Sequence, residues 1–377
     1  MEARIRAKMV ITSRGQFISS APAAILSPSS LASELEGYEA VAARTWRAGP
    51  AAGTSWLGAD GAVRSLELIR CATLAASSHN TQCWRFALEG GAITILPDLS
   101  RRCPAVDPDN HHLFVSLGCA AENLVQAASA HGLKAEVRFG AAEDAVRVTL
   151  TPAAAQASPL FNAIPERQCT RGDYDGKPLS SQELGLLERA GTASGVRMLL
   201  LTERAAMERV LEVVVQGNTA QMADPAFVKE LKSWIRFNGT DAVRTRDGLF
   251  SVAMGNPAIP GWLGDRAFGW FYTTRRENDK VARQLRSSAG VAVFVSEVAD
   301  KAHWVEVGRC YERFALQATA LGIRNAFLNQ PLEVPSLRAP LAQAIGLSGQ
   351  RPDLVVRFGR GPALPRSLRR PVQDVLV

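Results

Sequence analysis

Apolar residues recur at helical spacing in two long stretches that begin and end alike. From Gly118 to Gly132, and again from Gly308 to Gly322, a glycine opens an amphipathic run and a second closes it fourteen residues later. A closing glycine supplies the left-handed position at which many helices stop, so both stretches are predicted as helices. Each is followed by a hydrophobic residue and a base, Leu133-Lys134 and Ile323-Arg324, while Ala128 matches Ala318 and Leu124 matches Phe314. His111 and His112 read as residues opening the first of these helices. Shorter helical stretches are predicted over 66–75 and up to Ala190, each leading through small residues into a strand, at 84–88 and 196–202. Further strands are predicted at 325–328 and 353–358, and a helix across 230–234.

The matches form a repeat. The stretch from Leu68 to Ser78 resembles that from Leu186 to Ser194, an offset of roughly 117, whereas the long helices differ by about 190, so the second copy holds an insertion of about 70 residues. It falls between Val213 and Gly290. Its Asp247-Gly248-Leu249-Phe250, Gly255-Asn256-Pro257 and Ile259-Pro260-Gly261-Trp262-Leu263-Gly264 runs are rich in Gly, Pro and aromatics, a composition that suits a lid or binding loop. A duplicated α+β unit packed on itself would mimic, within one chain, a two-fold homodimer. The organisation expected is a leader at 1–35, a first half at 36–155 and a second half at 156–377, with the insertion at about 214–290.

Composition narrows the function classes. At 377 residues and 47% apolar content the chain can bury a sizeable core. The net charge of +7 is spread along the chain with no long basic run, which argues against a nucleic-acid scaffold. The six cysteines, Cys71, Cys83, Cys103, Cys119, Cys169 and Cys310, form no Cys-x-x-Cys pair, and the five histidines no His-x-x-x-His, so no metal is expected. They read as small buried hydrophobes. No apolar run approaches the length of a membrane span. At the N-terminus, Ser13-Arg14-Gly15-Gln16-Phe17 resembles a degraded twin-arginine export signal with Gly15 in place of the second arginine. A cytoplasmic location is therefore favoured, and a periplasmic one follows only if this leader works.

Candidate chemistry sits in three segments. The first is Ala76-Ser77-Ser78-His79-Asn80-Thr81-Gln82-Cys83-Trp84, where side-chain amides and small residues at a helix–strand junction can meet the edge of a flat heteroaromatic ring. The second is Ile164-Pro165-Glu166-Arg167-Gln168-Cys169-Thr170-Arg171, whose two arginines, four apart, can converge on one phosphate through their planar forks. The third is the tail Leu364-Pro365-Arg366-Ser367-Leu368-Arg369-Arg370-Pro371.

Together these segments resemble the FMN-dependent nitroreductase superfamily. The first is similar to its Pro-Ser-Ser-x-Asn-x-Gln-Pro-Trp signature, with Ala76 and Cys83 where proline is usual. The second is similar to its Arg-(His/Arg)-Ser-x-(Lys/Arg), with Cys169 in place of a hydroxyl residue. The third is similar to its basic C-terminal phosphate clamp. The resemblance implies a nitroreductase-like fold of α+β class, whose flavin sites lie between two subunits. Here the duplicated halves would supply both sides of one site. The implied cofactor-binding residues are Ser77, Ser78, Asn80, Gln82, Arg167, Gln168, Cys169, Arg171, Arg366 and Arg369, with Gln330 and Pro331 at a strand exit facing the ring. The cofactor is FMN, NAD(P)H is the transient reductant, and a small nitro or quinone-like molecule is the electron acceptor. Chemistry is expected on the flavin itself, at N5, with no protein nucleophile or base. The reciprocal site, with Thr192-Ala193-Ser194-Gly195 and only Arg64 ahead of the first half, lacks these groups, so one FMN per chain is expected.

The one-chain duplication, the insertion and the leader most resemble the Acg-like branch of the superfamily. There a lid over the flavin makes flavin sequestration, with little turnover, the alternative to catalysis. The expected assembly is a monomeric pseudo-dimer, with a higher homo-oligomer left open.

Overall fold

The computed structural model describes residues 28–49, 61–260, 264, 268–269, 272–347 and 349–377, with the side chains of 28–35 and 61–63 left aside. The export-like motif and Trp262 lie outside the described residues. Helix α1, Pro28–Thr45, already begins inside the stretch assigned to the leader.

The first half follows as α2 (Gly61–Thr73), the hairpin β1 (Trp84–Glu89) and β2 (Ala92–Pro97), the long helix α3 (His111–Ala130), then β3 (Leu133–Gly140) and β4 (Ala145–Pro152). The short α4 (Pro159–Ala163) leads to the second half, α5 (Ser181–Gly191) and β5 (Val196–Leu201). Added chain then intervenes: α6 (Arg204–Ala223), α7 (Pro225–Trp234), β6 (Ile235–Arg236), α8 (Gly239–Thr245), β7 (Leu249–Phe250) and α9 (Thr274–Arg286). The second half resumes with β8 (Gly290–Ser296), the long helix α10 (Lys301–Ala320) and β9 (Arg324–Phe327). It finishes with α11 (Gln330–Glu333), α12 (Arg338–Ala344) and β10 (Pro352–Gly359).

The two sheets have one topology. The first is ordered β1-β2-β4-β3 and the second β5-β8-β10-β9, each antiparallel throughout. Mapped by order, β1 corresponds to β5, β2 to β8, β3 to β9, β4 to β10 and α3 to α10, so the chain is an internally duplicated α+β fold. The hairpin turn Gly90-Gly91 of the first copy is replaced in the second by everything between β5 and β8. The added length thus opens at 202, ahead of the 214 expected. The reason is visible in the packing: Met207, Val210, Leu211 and Val214 on α6 pack against Val291, Val293 and Val295 of β8. Its apolar face therefore reads in sequence as part of the duplicated core. The opposite face of β8 sends Ala292 and Phe294 into the central core shared by both halves. Strand β8 is accordingly buried along its whole length, while β3 and β4 alternate buried and exposed positions as strands with one solvated face do.

Helices α3 and α10 cross at the centre. A Cβ added to Gly118 would lie 2.8 Å from the carbonyl carbon of Val305 and overlap its oxygen, and one added to Gly308 would do the same to Val115. The matched glycines of the repeat let backbone meet backbone, and Cys119 Sγ donates to the Gly308 carbonyl at 3.3 Å beside them. Replacing Gly118 or Gly308 by Ala forces the helices apart, and each variant is expected to lose at least about 2 kcal/mol of stability, the scale of an overpacked core. Urea midpoints equal to wild type in both variants would refute this crossing.

Candidate functional site

The turn leaving α2 is strained. His79, Asn80 and Gln82 all have positive φ (48°, 54° and 53°), a conformation that costs a non-glycine residue roughly 1–2 kcal/mol. Local bonds hold the turn: Asn80 N–H donates to the Ser77 carbonyl at 3.0 Å, and Gln82 N–H to Ser77 Oγ at 3.0 Å. The side chains then reach outward. Asn80 Nδ2 donates to the carbonyls of Gly248 (2.9 Å) and Leu368 (3.2 Å), and its Oδ1 accepts from Arg369 Nη1 at 2.8 Å. Gln82 Nε2 donates to the Arg246 carbonyl at 2.9 Å, while its Oε1 accepts from Arg370 N–H at 2.7 Å. One turn thus joins the first half, the inserted segment and the C-terminal tail. Strain held in this way collects at functional sites.

The second segment is fixed from below. Arg167 is buried, with Nη2 donating to the Leu74 carbonyl at 2.6 Å and Nε 2.9 Å from Glu312 Oε1. Burial works against its charge, but the Glu312 carboxylate outweighs this and holds the guanidinium above its usual pKa. Gln168 clamps the tail: its Nε2 donates to the carbonyls of Leu364 and Pro365, and its Oε1 accepts from Leu364 N–H at 3.1 Å. In the tail, Arg369 is buried and donates to the carbonyls of Thr73 (2.9 Å) and Ala75 (3.0 Å) as well as to Asn80. Burial and the charge of Arg167 push its pKa down to about 9, which leaves it charged at neutral pH. Arg366 pairs with Glu166 at 2.5 Å and lies over the Trp46 ring.

These segments border one cavity of about 280 Å³, near the small end of ligand pockets. Ser77, Ser78, Asn80, Arg167, Gln168, Cys169, Arg171, Gln330, Arg366 and Arg369 line it. Two expected residues do not. Gln82 is wholly buried, its amide spent on the tail and the insertion, and Pro331 is buried within α11. The two arginines of the second segment also part company. Arg167 is turned onto Glu312, whereas the side chain of Arg171 makes no hydrogen bond or ion pair among the described residues. The side chains of Asn80, Gln168 and Arg369 are likewise taken up in holding segments together.

Sequence reasoning missed the far wall. The inserted segment contributes Asn218, Gln221, Tyr272, Glu277, Lys280 and Gln284, and α3 contributes His112 and Ser116. On α9 the signal was present, since Glu277, Lys280, Val281 and Gln284 share one helical face. Two lining residues also carry buried atoms that have no hydrogen-bond partner among the described residues, His79 Nδ1 and Gln330 Oε1. Arg171, an unbonded imidazole nitrogen, an amide oxygen and the Ser77 and Ser78 hydroxyls form a donor and acceptor set that fits a polar, phosphate-bearing heteroaromatic ligand. Among the described residues no group of acidic, histidine and cysteine side chains could hold a metal. Cys71, Cys83, Cys103, Cys119 and Cys310 are buried free thiols, as expected, and Cys169 is half-buried at the cavity wall. Among the described residues one helix is long and apolar enough to cross a membrane by composition, α3, and it is mostly buried in the core.

No family model matches the chain. It is similar to "Putative NAD(P)H nitroreductase Rv3131" of Mycobacterium tuberculosis, with 26% identity over 323 residues, 82% of this chain and 90% of that protein. It is also similar to "Putative NAD(P)H nitroreductase acg" of the same organism, with 24% identity over 324 residues, 81% and 93% of the two chains. Among solved structures, a nitroreductase with bound FMN from Desulfitobacterium hafniense DCB-2 aligns with 15% identity, 59% of this chain, 98% of that chain and a TM-score of 0.37.

His79 generates a pH prediction. Burial first, then the charges of Arg171 and His112, push its pKa from about 6.5 down to about 4. Because the folded value lies below the unfolded one, its contribution is complete above about pH 6.5 and is lost as pH falls toward 4, by about 3 kcal/mol. His79→Gln is therefore expected to lose less stability than wild type between pH 7 and pH 4.5. Parallel urea midpoints for both proteins across that range would exclude His79 as the source.

Proposed function

We propose that the chain is a member of the nitroreductase superfamily, in its Acg-like branch, and an FMN-dependent oxidoreductase binding one flavin per chain. In this reading NAD(P)H is the reductant and a small nitro or quinone-like molecule the acceptor. The observation that carries the reading is the convergence of three sequence motifs, from the first half, the second half and the tail, on one cavity whose wall keeps unpaired polar groups. When bound, FMN would take a hydride from NAD(P)H and hand electrons to the second substrate. The chain's own residues would bind, orient and shield. Ser77 and Ser78 would present hydroxyls to the flavin, Arg171 its charge, and Gln330 Oε1 an acceptor for a ring N–H. Arg167, Arg369, Asn80 and Gln168 would act one step back, as positioning residues that fix the motif turn, the 165–171 segment and the tail relative to one another.

Flavin storage is the second reading, and one observation favours it. The insertion is bonded directly to the motif turn, with Gly248 N–H on the Asn80 carbonyl at 3.1 Å and Arg101 joined to both the Thr81 carbonyl and Asp247. Such a cover would hold a flavin in and a reductant out.

The purified chain is expected to show flavin absorbance near about 450 nm, or to gain it on reconstitution with FMN. A protein that stays colourless in both cases sinks the proposal. Arg167→Ala leaves Glu312 buried and unpaired and frees the 165–171 segment, so its retained FMN is expected to fall about tenfold or more, the scale of lost charge-assisted bonds. Rapid bleaching of the bound flavin by NADPH in stopped flow favours turnover, and a flavin that stays oxidised favours storage.

A further inference from the structure

Among the described residues six Arg and Lys side chains line the cavity, Arg167, Arg171, Lys280, Arg357, Arg366 and Arg369, and most are already spent. Arg167 faces Glu312, Arg366 faces Glu166, and Arg369 and Arg357 donate into backbone carbonyls. Arg171 and Lys280 are different. Among the described residues the Arg171 side chain makes no hydrogen bond or ion pair, and Lys280 meets Glu277 alone, at 3.9 Å.

The backbone under Arg171 is unusually well held. Three consecutive carbonyls are occupied: Thr170 by Arg357 Nη2 (3.3 Å) and Tyr174 Oη (2.9 Å), Arg171 by Gln284 Nε2 (2.5 Å), and Gly172 by Arg357 Nη2 (2.8 Å). Arg357 also lies 4.2 Å from the centre of the Tyr174 ring and donates to the Gln284 carbonyl at 3.2 Å. Gln284 lies one helical turn beyond Lys280 on the same face of α9. The bond from Gln284 to Arg171 therefore fixes the register in which the inserted helix brings Lys280 beside the Arg171 pedestal. Two cations border a partly buried space whose lining carboxylates are Glu277, beside Lys280, and Glu333, and in such a space the attraction of two cations for an anion exceeds that of the same charges in water.

We propose that Arg171 and Lys280 form an anion-recognition subsite, built jointly by the motif segment and the insertion, that takes a phosphate or carboxylate group. This deepens the flavoprotein reading and rests on it only for the source of the anion, which is either the flavin's own phosphate or an acidic group on the acceptor. Burial and the nearby charge of Arg171 pull the Lys280 pKa down, with Glu277 opposing. Glu277 competes for Lys280 and tempers the subsite.

The test measures matched pairs of probes. FMN and riboflavin share a ring and differ in the phosphate, so their dissociation constants on flavin-free protein, read by fluorescence, report a phosphate subsite. 4-Nitrobenzoate and 4-nitrobenzyl alcohol report a carboxylate subsite, by perturbation of the bound-flavin spectrum or, if wild type takes up no flavin, by calorimetry on the protein as purified. Lys280→Gln and Arg171→Gln are each expected to weaken one anionic probe about tenfold while its neutral partner binds as before, the scale of one charge-assisted contact. Lys280→Arg retains the preference, and Glu277→Gln sharpens it, which separates lost charge from lost fold. A loss confined to FMN assigns the flavin phosphate, and a loss confined to nitrobenzoate assigns the acceptor. Unchanged anion-to-neutral ratios in both Gln variants, or a wild type that prefers neither anion, overturn the subsite. Absence of flavin from wild type would instead sink the flavoprotein reading, with the nitrobenzoate arm still deciding this one.

Discussion

Two helices touching backbone to backbone set the geometry on which the cavity depends. Because Gly118 and Gly308 carry no side chain, α3 and α10 approach until each glycine meets the other helix's valine carbonyl, Val305 or Val115. One turn further along the same faces stand Glu122 and Glu312, both almost fully buried. A buried carboxylate must find a cation, since leaving it alone costs several kcal/mol. Fixing the crossing therefore fixes where Glu312 sits, and Glu312 fixes Arg167. Arg167 in turn anchors the 165–171 segment against the carbonyl of Leu74, at the exit of α2. The chain of cause runs from two missing side chains to the floor of the site.

The C-terminal tail closes what the crossing begins. Arg369 reaches back across the molecule to the carbonyls that follow α2 and to Asn80, while the final residues dock on β1, Val377 N–H donating to the Phe86 carbonyl at 3.0 Å. Helix α1 adds Tyr38, bonded to the Arg366 carbonyl, and Trp46, whose indole N–H donates to the Ser367 carbonyl at 2.9 Å. Each of these bonds joins residues hundreds of positions apart in sequence. The wall of the cavity is thus a product of tertiary closure, and a chain truncated in the tail would leave the buried Asn80 amide and the carbonyls after α2 without their partner.

What could be read beforehand follows from what local pattern encodes. The glycine-to-glycine repeat marks both long helices and their offset, because helix length and termination are local properties. The motif segments were also legible, since Ser77, Ser78, Asn80, Arg167 and Arg171 stand in recognisable short runs. The allocation of their bonds was not. Asn80, Gln168 and Arg369 look in sequence like ligand-facing groups, yet their amides and guanidinium are taken by backbone carbonyls from other segments. Nothing local tells an arginine that will meet a phosphate from one that will meet six protein acceptors. The role of α6 was hidden for a related reason: its apolar face packs on β8 and so carries the same pattern as the duplicated core. The polar stripe of α9 was readable as a stripe, but its target, the Arg171 pedestal, depends on an insertion folding back over seventy or so residues.

The duplication also explains why only one of the two equivalent positions is equipped. Glu122 and Glu312 are matched in the repeat, and each is met by an arginine that also caps the helix before it. For Glu312 that arginine is Arg167, which comes from the segment between the halves and bonds the Leu74 carbonyl. For Glu122 it is Arg313, which sits on α10 itself and bonds the Ala190 carbonyl at 3.2 Å. The position matching Arg313 in the first copy is Asn123, whose amide donates to the Cys71 carbonyl at 3.1 Å. Glu122, on α3 of the first copy, is thus satisfied by the helix packed against it, with Arg309 of α10 also 3.3 Å away, and the second copy has no need of a motif segment brought in from elsewhere. Its turn is correspondingly short: residues 192–195 join α5 to β5, closed by paired bonds between Ala193 and Val196, where the first copy uses 74–83. Without that length there is no strained turn to carry amides and hydroxyls, and with Arg313 in place there is no vacancy for an incoming arginine.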